Sequence, residues 1–265
     1  MIDPITSVSN PRVKQLRSLL ANRKDRRRER LFVIEGVRLV EEAVRSNANL
    51  VSIIYDPEHL EASERGRALL EQVRERRAAY VATPEVIAAA SDTVTPQGIV
   101  AAVEWPDLEA HGSGIQLVLD AVQDPGNVGT LLRSAEATGV TQVLCISGTA
   151  DVFGPKVVRA AMGAHFRLPL RQDLHWDELE EVLLPADNIY LADVQAQMPY
   201  YAADWRQPSV LIVANEANGA SDEARARATK LVTIPMAATV ESLNAAVAGS
   251  VMLFEAARQR RLGRS

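Results

Sequence analysis

Cysteine is nearly absent from this chain of 265 residues: Cys145 stands alone. A disulfide framework is thereby excluded, and so is a zinc site built from several thiolates. Long apolar runs are missing too. None approaches the ~18 residues that cross a bilayer. The opening stretch MIDPITSVSNPRVK has no apolar segment of the signal-peptide kind, so a cytoplasmic protein without a membrane partner is expected. The four histidines, His59, His111, His165 and His175, are scattered without metal-ligand spacing, and no metal is expected. Neither glycine-rich nucleotide fingerprint occurs, and no Gly-x-Ser-x-Gly elbow announces a serine nucleophile. Cys145 sits inside an apolar run and reads as core. What is present is ordinary for a globular protein, with 47% hydrophobic and 24% charged residues.

Positive charge is in deficit overall, with a net charge of −5. Taken alone, that disfavours a polyanionic partner. The average conceals an asymmetry. Residues 12–30 hold nine Lys or Arg and two acids, a local +7 that leaves −12 for the rest of the chain. Residues 171–223 hold eleven acids and two bases. The basic run RKDRRRER is either a nucleic-acid contact or a solvated face.

Helix and strand signals alternate throughout. Ser9-Asn10-Pro11 is a helix start, with a capping side chain followed by a proline whose missing N–H costs little in the first turn. Val13, Leu16, Leu19 and Leu20 then form an apolar stripe. Strands are predicted at 31–35, 50–55, 79–82 and 98–104, with helices over 36–46, 61–77 and 84–90. Residues 105–114, WPDLEAHGSG, read as a linker. A second α/β pattern follows, with strands at 115–122, 141–147, 165–169, 188–194, 209–215 and 231–234. Its predicted helices cover 127–138, 155–162, 176–184 and 242–261. Continuous apolar strands indicate a parallel sheet covered on both faces. The expected architecture is α/β in two domains, 1–104 and 115–265.

Three polar clusters follow strands of the second half, where open α/β sheets place their ligands. The first runs from Asp124 through Pro125, Gly126, Asn127 and Gly129 to Arg133. One reading is a strand-to-helix turn capped by Asn127 with Arg133 on a solvated face. The other is a ligand-binding turn. The second cluster is Ala214 to Ser221, holding Asn215, Glu216, Asn218 and Gly219. It is either a polar pocket wall or a loop whose Ser221 caps the next helix. The third is Ile234-Pro235-Met236, then Ser242-Leu243-Asn244 at the entrance of a small-residue helix. A cap needs only one of Ser242 and Asn244.

In this order and with these separations, the clusters resemble the three motifs of the SpoU/TrmH class of SPOUT methyltransferases. Asp124 to Arg133 match D-P-x-N-x-G-x-x-x-R. Ala214 to Gly219 are similar to G-x-E-x-x-G, with Ala214 in place of the usual first glycine and Ala217 at another small-residue position. Ile234 to Asn244 match I-P-M … S-L-N. The start of the chain, from ITSVSNPRVK to FVIEGVRLVEEA, resembles the small RNA substrate-binding domain carried by rRNA-modifying members.

The resemblance implies a catalytic domain tied into a deep trefoil knot, against general topology rules, and a homodimer with composite active sites. It implies S-adenosylmethionine as methyl donor and a ribose 2′-hydroxyl of RNA, foremost rRNA, as acceptor. tRNA and antibiotic-resistance methyltransferases share the motifs, and an inactive RNA-binding protein on the same fold is the alternative of a different class. By position, Asn127, Arg133, Glu216, Ser242 and Asn244 are the implied catalytic set. Ala214, Asn215, Gly219, Ile234, Met236 and Leu243 are the implied cofactor contacts. Arg12, Lys14, Arg23, Lys24, Arg26, Arg27 and Arg28 are the expected RNA contacts.

Overall fold

A computed structural model describes residues 4–110, 112–215, 218–237 and 242–263. The chain divides into two compact units. One is Met1–Pro106 together with Phe153–Arg159, and the other is Asp107–Val152 with Ala160–Ser265.

The first unit begins with α1 (Pro11–Ala21), where Asn10 accepts from the Arg12 backbone N–H and Pro11 fills the first turn. The charged run, to which the sequence assigns no element, is itself a helix, α2 (Arg23–Glu29). Arg26, Arg27 and Arg28 lie in its last turn, where the helix dipole favours them. Then follow β1 (Leu31–Glu35), α3 (Val37–Arg45), β2 (Leu50–Tyr55), α4 (Pro57–Glu61), α5 (Glu64–Val73), β3 (Ala79–Val81), α6 (Pro84–Ala89) and β4 (Ile99–Glu104). The helix expected over 61–77 is the shorter α5, with α4 before it, because the Ser63 side chain caps a new start by accepting from Gly66 N at 3.0 Å. The sheet order is β1-β4-β2-β3. Val13, Leu16 and Leu19 of α1 are buried in one core with Val33, Ile54 and Val100. The segment Phe153–Arg159 joins this unit through ring contacts at one end and ion pairs at the other. Phe153 stacks on Trp105 with centroids 4.1 Å apart, and Arg159 pairs with Glu35 at 2.9 Å and Asp92 at 2.8 Å.

The second unit carries β5 (Ile115–Asp120), α7 (Pro125–Thr138), β6 (Gln142–Ile146), the end of α8 (Pro155–Ala161), β7 (Leu170–Leu174) and α9 (Leu179–Val182). It continues with β8 (Asn188–Ala192), β9 (Met198–Pro199), β10 (Ser209–Ala214), α10 (Asp222–Arg227), β11 (Lys230–Thr233) and α11 (Ala245–Leu262). The strand predicted at 165–169 lies later. Ala164–Phe166 form a short 3-10 turn instead, held by buried His165 against the Val152 carbonyl at 2.6 Å. Burial pushes the His165 imidazole down to about 4, so it is a neutral core residue at pH 7. The helix expected over 176–184 is a single turn at α9.

The sheet order is β7-β6-β5-β10-β8-β11-β9, and every pairing is parallel. β5 to β7 build outward on one side, β8 starts the other side, and β10 fills the gap between β5 and β8. That reversal is where such sheets open a ligand crevice. The middle strands are buried because their residues are continuously apolar: Val118, Leu144, Leu191, Val210 and Ile212 share one cluster. Among the described residues, no helix is long and apolar enough to cross a membrane.

Candidate functional site

The parallel register brings several strand ends to one edge. Asp120 of β5 pairs with Ala214 of β10, and Ala192 of β8 pairs with Val232 of β11. The loops leaving β5, β10 and β11 at that edge carry the three polar clusters.

In the first cluster the cap is Asp124, not Asn127. The Asp124 carboxylate accepts from the Asn127 backbone N–H at 2.8 Å. Asn127 thus sits inside the first turn, and its side chain has another task. Its Oδ1 accepts from Nδ2 of Asn244 at 2.8 Å. Asn244 is the cap of α11, where its Oδ1 accepts from Ala246 N at 2.9 Å and Val247 N at 3.1 Å. A primary amide has an oxygen acceptor and a nitrogen donor, so one side chain starts a helix and ties it to a second helix start. The two helices run side by side in the same direction, joined again by Ser134 Oγ and Ser250 Oγ at 2.8 Å. Gly249 permits the approach: a Cβ there would stand 2.6 Å from Leu131 Cδ2.

The second cluster is pinned to β5. Asn215 Nδ2 donates to the Ala121 carbonyl at 2.8 Å, and its Oδ1 accepts from Asn218 N at 3.0 Å. Buried Asp120 accepts from Ser221 N at 2.8 Å, while Ser221 Oγ caps α10. Ala121 has φ 54, a left-handed conformation that non-glycine residues adopt at a cost of roughly 1–2 kcal/mol. Such strain concentrates at functional sites. Ala214 is an extended strand residue outside the positive-φ set, so its methyl adds no backbone strain in place of glycine. Glu216 and Ala217 lie outside the described residues.

Between these loops lies a cavity of about 260 Å³, just below the ~300–1,000 Å³ typical of ligand pockets. All six expected cofactor positions line it: Ala214, Asn215, Gly219, Ile234, Met236 and Leu243. Ser242 is on its wall as well. The remaining walls are mostly apolar, from Val213, Val232, Ala248 and Met252, which suits a flat aromatic ring. Sequence reasoning missed Asp193, Gln195 and Arg225, which also line it. Asp193 follows directly on β8, and the strand-end rule that selected the other clusters applies to it equally.

Arg133 is not brought to this cavity. It is exposed on α7 and does not line the cavity wall. Six residues turn a helix by about 240° relative to Asn127, so the two side chains leave α7 on different sides. Among the described residues, no group of three or more His, Cys, Asp or Glu is placed to hold a metal ion.

The basic residues of the first unit divide. Lys14, Lys24, Arg27 and Arg28 are exposed, as are Arg17 and Arg30 of the same basic stretch. Arg28 pairs with Asp25 at 2.7 Å and Glu29 at 3.0 Å. Arg12 lies over the Tyr80 ring at 3.9 Å. Arg23 is half-buried. Arg26 departs from the expectation of an RNA contact. It is 6% exposed, and its guanidinium donates to the carbonyls of Leu19 and of Leu20, the latter at 3.1 Å. It closes the end of α1.

Comparison with known proteins covers both units. A family model described as the SpoU rRNA Methylase family matches residues 114–254, and the MRM3-like substrate binding domain matches residues 10–101. The chain is 32% identical to the 23S rRNA (guanosine(2553)-2′-O)-methyltransferase RlmP of Bacillus subtilis, over 94% of this chain and 97% of that protein. It is also 32% identical to a 23S rRNA (uridine(2479)-2′-O)-methyltransferase of Streptomyces viridochromogenes, over 97% and 92%. Among solved structures, the SpoU methyltransferase AviRb of Streptomyces viridochromogenes in complex with AdoMet superposes with a TM-score of 0.84 at 31% identity, covering 95% of this chain and 98% of that one. An AdoMet-bound rRNA methyltransferase from Sinorhizobium meliloti gives 0.82 at 28% identity, covering 97% of each.

The double use of Asn244 can be separated by substitution. Asn244→Asp keeps the capping oxygen and loses the donor to Asn127, so thermal stability should change little. Asn244→Ala loses both and should lower unfolding free energy by about 1 kcal/mol. Denaturant titration of the two variants measures the difference.

Proposed function

Because the chain belongs to the SpoU rRNA methylase family, we propose that it transfers a methyl group from S-adenosylmethionine to a ribose 2′-hydroxyl of ribosomal RNA, in the cytoplasm. The observation that carries this reading is the strand-end cavity. Residues from the second and third motifs meet on its wall, and the first motif is tied to its rim through Asn127 and Asn244.

The cavity fits the methyl donor. Apolar side chains from β10, β11 and α11 offer a slot for adenine, and the backbone at the strand ends Ala214 and Ile234 and at Leu243 before α11 offers donors and acceptors for its edge. S-adenosylmethionine, when bound, supplies a methyl on a sulfonium that needs no metal activation. The protein must then align the ribose oxygen in line and stabilise its developing charge. A guanidinium is a poor base, so Arg133 serves as an electrostatic and orienting group for the 2′-oxygen. Ser242 stands on the cavity wall, and Asn127 and Asn244 hold the two helix starts in register. The extended strand geometry of Ala214, which accommodates its methyl without backbone strain, favours this reading over that of an inactive RNA-binding protein on the same fold.

Two features support a homodimer. Arg133 is exposed and away from its own cavity, as a residue completing a site across an interface would be. Val247 and Phe254, seven residues apart on α11, are 49% and 55% exposed, an apolar face that a second copy would cover. A knotted C-terminal segment belongs to the same proposal. So does a division of labour across residues 105–114, with the first unit gripping RNA and the second transferring the methyl.

Arg133→Ala should abolish incorporation of labelled methyl into rRNA with the fold intact. Mixing it with Asn244→Asp should restore part of the activity, because one site of the mixed dimer keeps every group. No restoration would contradict the composite site. Full activity in Arg133→Ala would contradict the role of Arg133.

The first unit makes a separate prediction. Replacing Lys14, Lys24 and Arg27 together by alanine should weaken RNA binding and lower its salt slope, by up to about 0.7–0.9 for each phosphate no longer neutralised. Binding isotherms at several salt concentrations measure both. Arg26→Ala should instead destabilise the first unit.

A further inference from the structure

The cavity wall has two charged side chains among the described residues, Asp193 and Arg225. Neither belongs to a motif of the second half identified by sequence. Asp193 is the first residue after β8, and its backbone N–H donates to Val232 O at 2.9 Å, which fixes where its side chain starts. The side chain is 7% exposed. Oδ1 accepts from Gln195 N at 2.8 Å, and Oδ2 accepts from Arg225 Nη1 at 2.7 Å. The carboxylate is thus held from two directions with its charge balanced.

A carboxylate has about four acceptor sites, and these two bonds occupy two of them. A ligand cation would have to compete with Arg225 for the same oxygens, and would strand a guanidinium at the cavity wall. A neutral donor pair meets no such competition. Vicinal hydroxyls match the two oxygens of one carboxylate, and an acid at a strand end accepting from a ribose hydroxyl is a recurring solution in α/β sheets. We infer that Asp193 binds the ribose hydroxyls of the adenosyl group and makes the cavity selective for a ribonucleoside methyl donor. The inference rests on the proposed cofactor. It adds a specificity-determining residue from β8, and it explains why a carboxylate stands buried beside an otherwise apolar slot. An analogue lacking the hydroxyls forfeits their hydrogen bonds to a charged oxygen and leaves the remaining acceptor positions of the carboxylate unfilled.

The test is a calorimetric titration of full-length protein with S-adenosylhomocysteine and with its 2′,3′-dideoxyribose analogue. The wild-type protein should bind the parent at least about 10-fold more tightly than the analogue. In Asp193→Ala the two affinities should converge to within about twofold, through loss of the parent's advantage, with the melting temperature checked in parallel. Equal weakening of both ligands in Asp193→Ala would make the residue structural only and overturn the assignment. So would a wild-type protein that binds both ligands equally. Failure of the wild type to bind either ligand would overturn the methyl-donor reading itself, and this assignment with it.

Discussion

The amide of Asn244 holds the second unit's functional edge together. Its oxygen starts α11, and its nitrogen reaches the oxygen of Asn127 in the first turn of α7. Everything else at that edge depends on two helix starts lying side by side. Gly249 lets the helices approach, and Asp124 relieves Asn127 of the capping duty. The insertion of β10 between β5 and β8 then sets the second-motif loop against the first, pinned by Asn215 and Asp120. The cavity is the space left between these fixed ends.

Much of this was legible in the residues. The apolar runs of 115–122 and 209–215 announced buried parallel strands, and Asn10-Pro11 announced the start of α1. Strand ends pointed to all three clusters. What could not be read was which amide did what. Asn127, Ser242 and Asn244 are all competent caps by type, and only tertiary contact assigns the roles. Asp193 was missed because it belongs to no recognised cluster, although the strand before it was read. The run at 165–169 was misplaced because Phe166 and Leu168 are buried without being strand: a buried imidazole bonded to Val152 holds the chain in a turn. Nothing local in Phe153 or Arg159 says that they belong with the first unit, since their partners Phe32, Trp105, Glu35 and Asp92 lie far away in sequence.

Charge also changes meaning once placed. The +7 of residues 12–30 is not one surface. Arg26 spends its charge on the carbonyls ending α1, and Arg28 is paired with acids of its own helix. Lys14, Arg17, Lys24 and Arg27 remain on the outside. In the acidic segment of the second unit, Asp193 is held by Arg225 at the cavity wall, so not all of that charge is solvated surface.

The central claim is that Asn127 and Asn244 act as one unit. A double-mutant cycle on methyl transfer, with Asn127→Ala, Asn244→Asp and the double variant, tests it most directly. The account predicts that the double variant is no worse than the more damaged single variant, a coupling of about 1.4 kcal/mol or more for a tenfold effect. Losses that multiply as if the two residues were independent would contradict it.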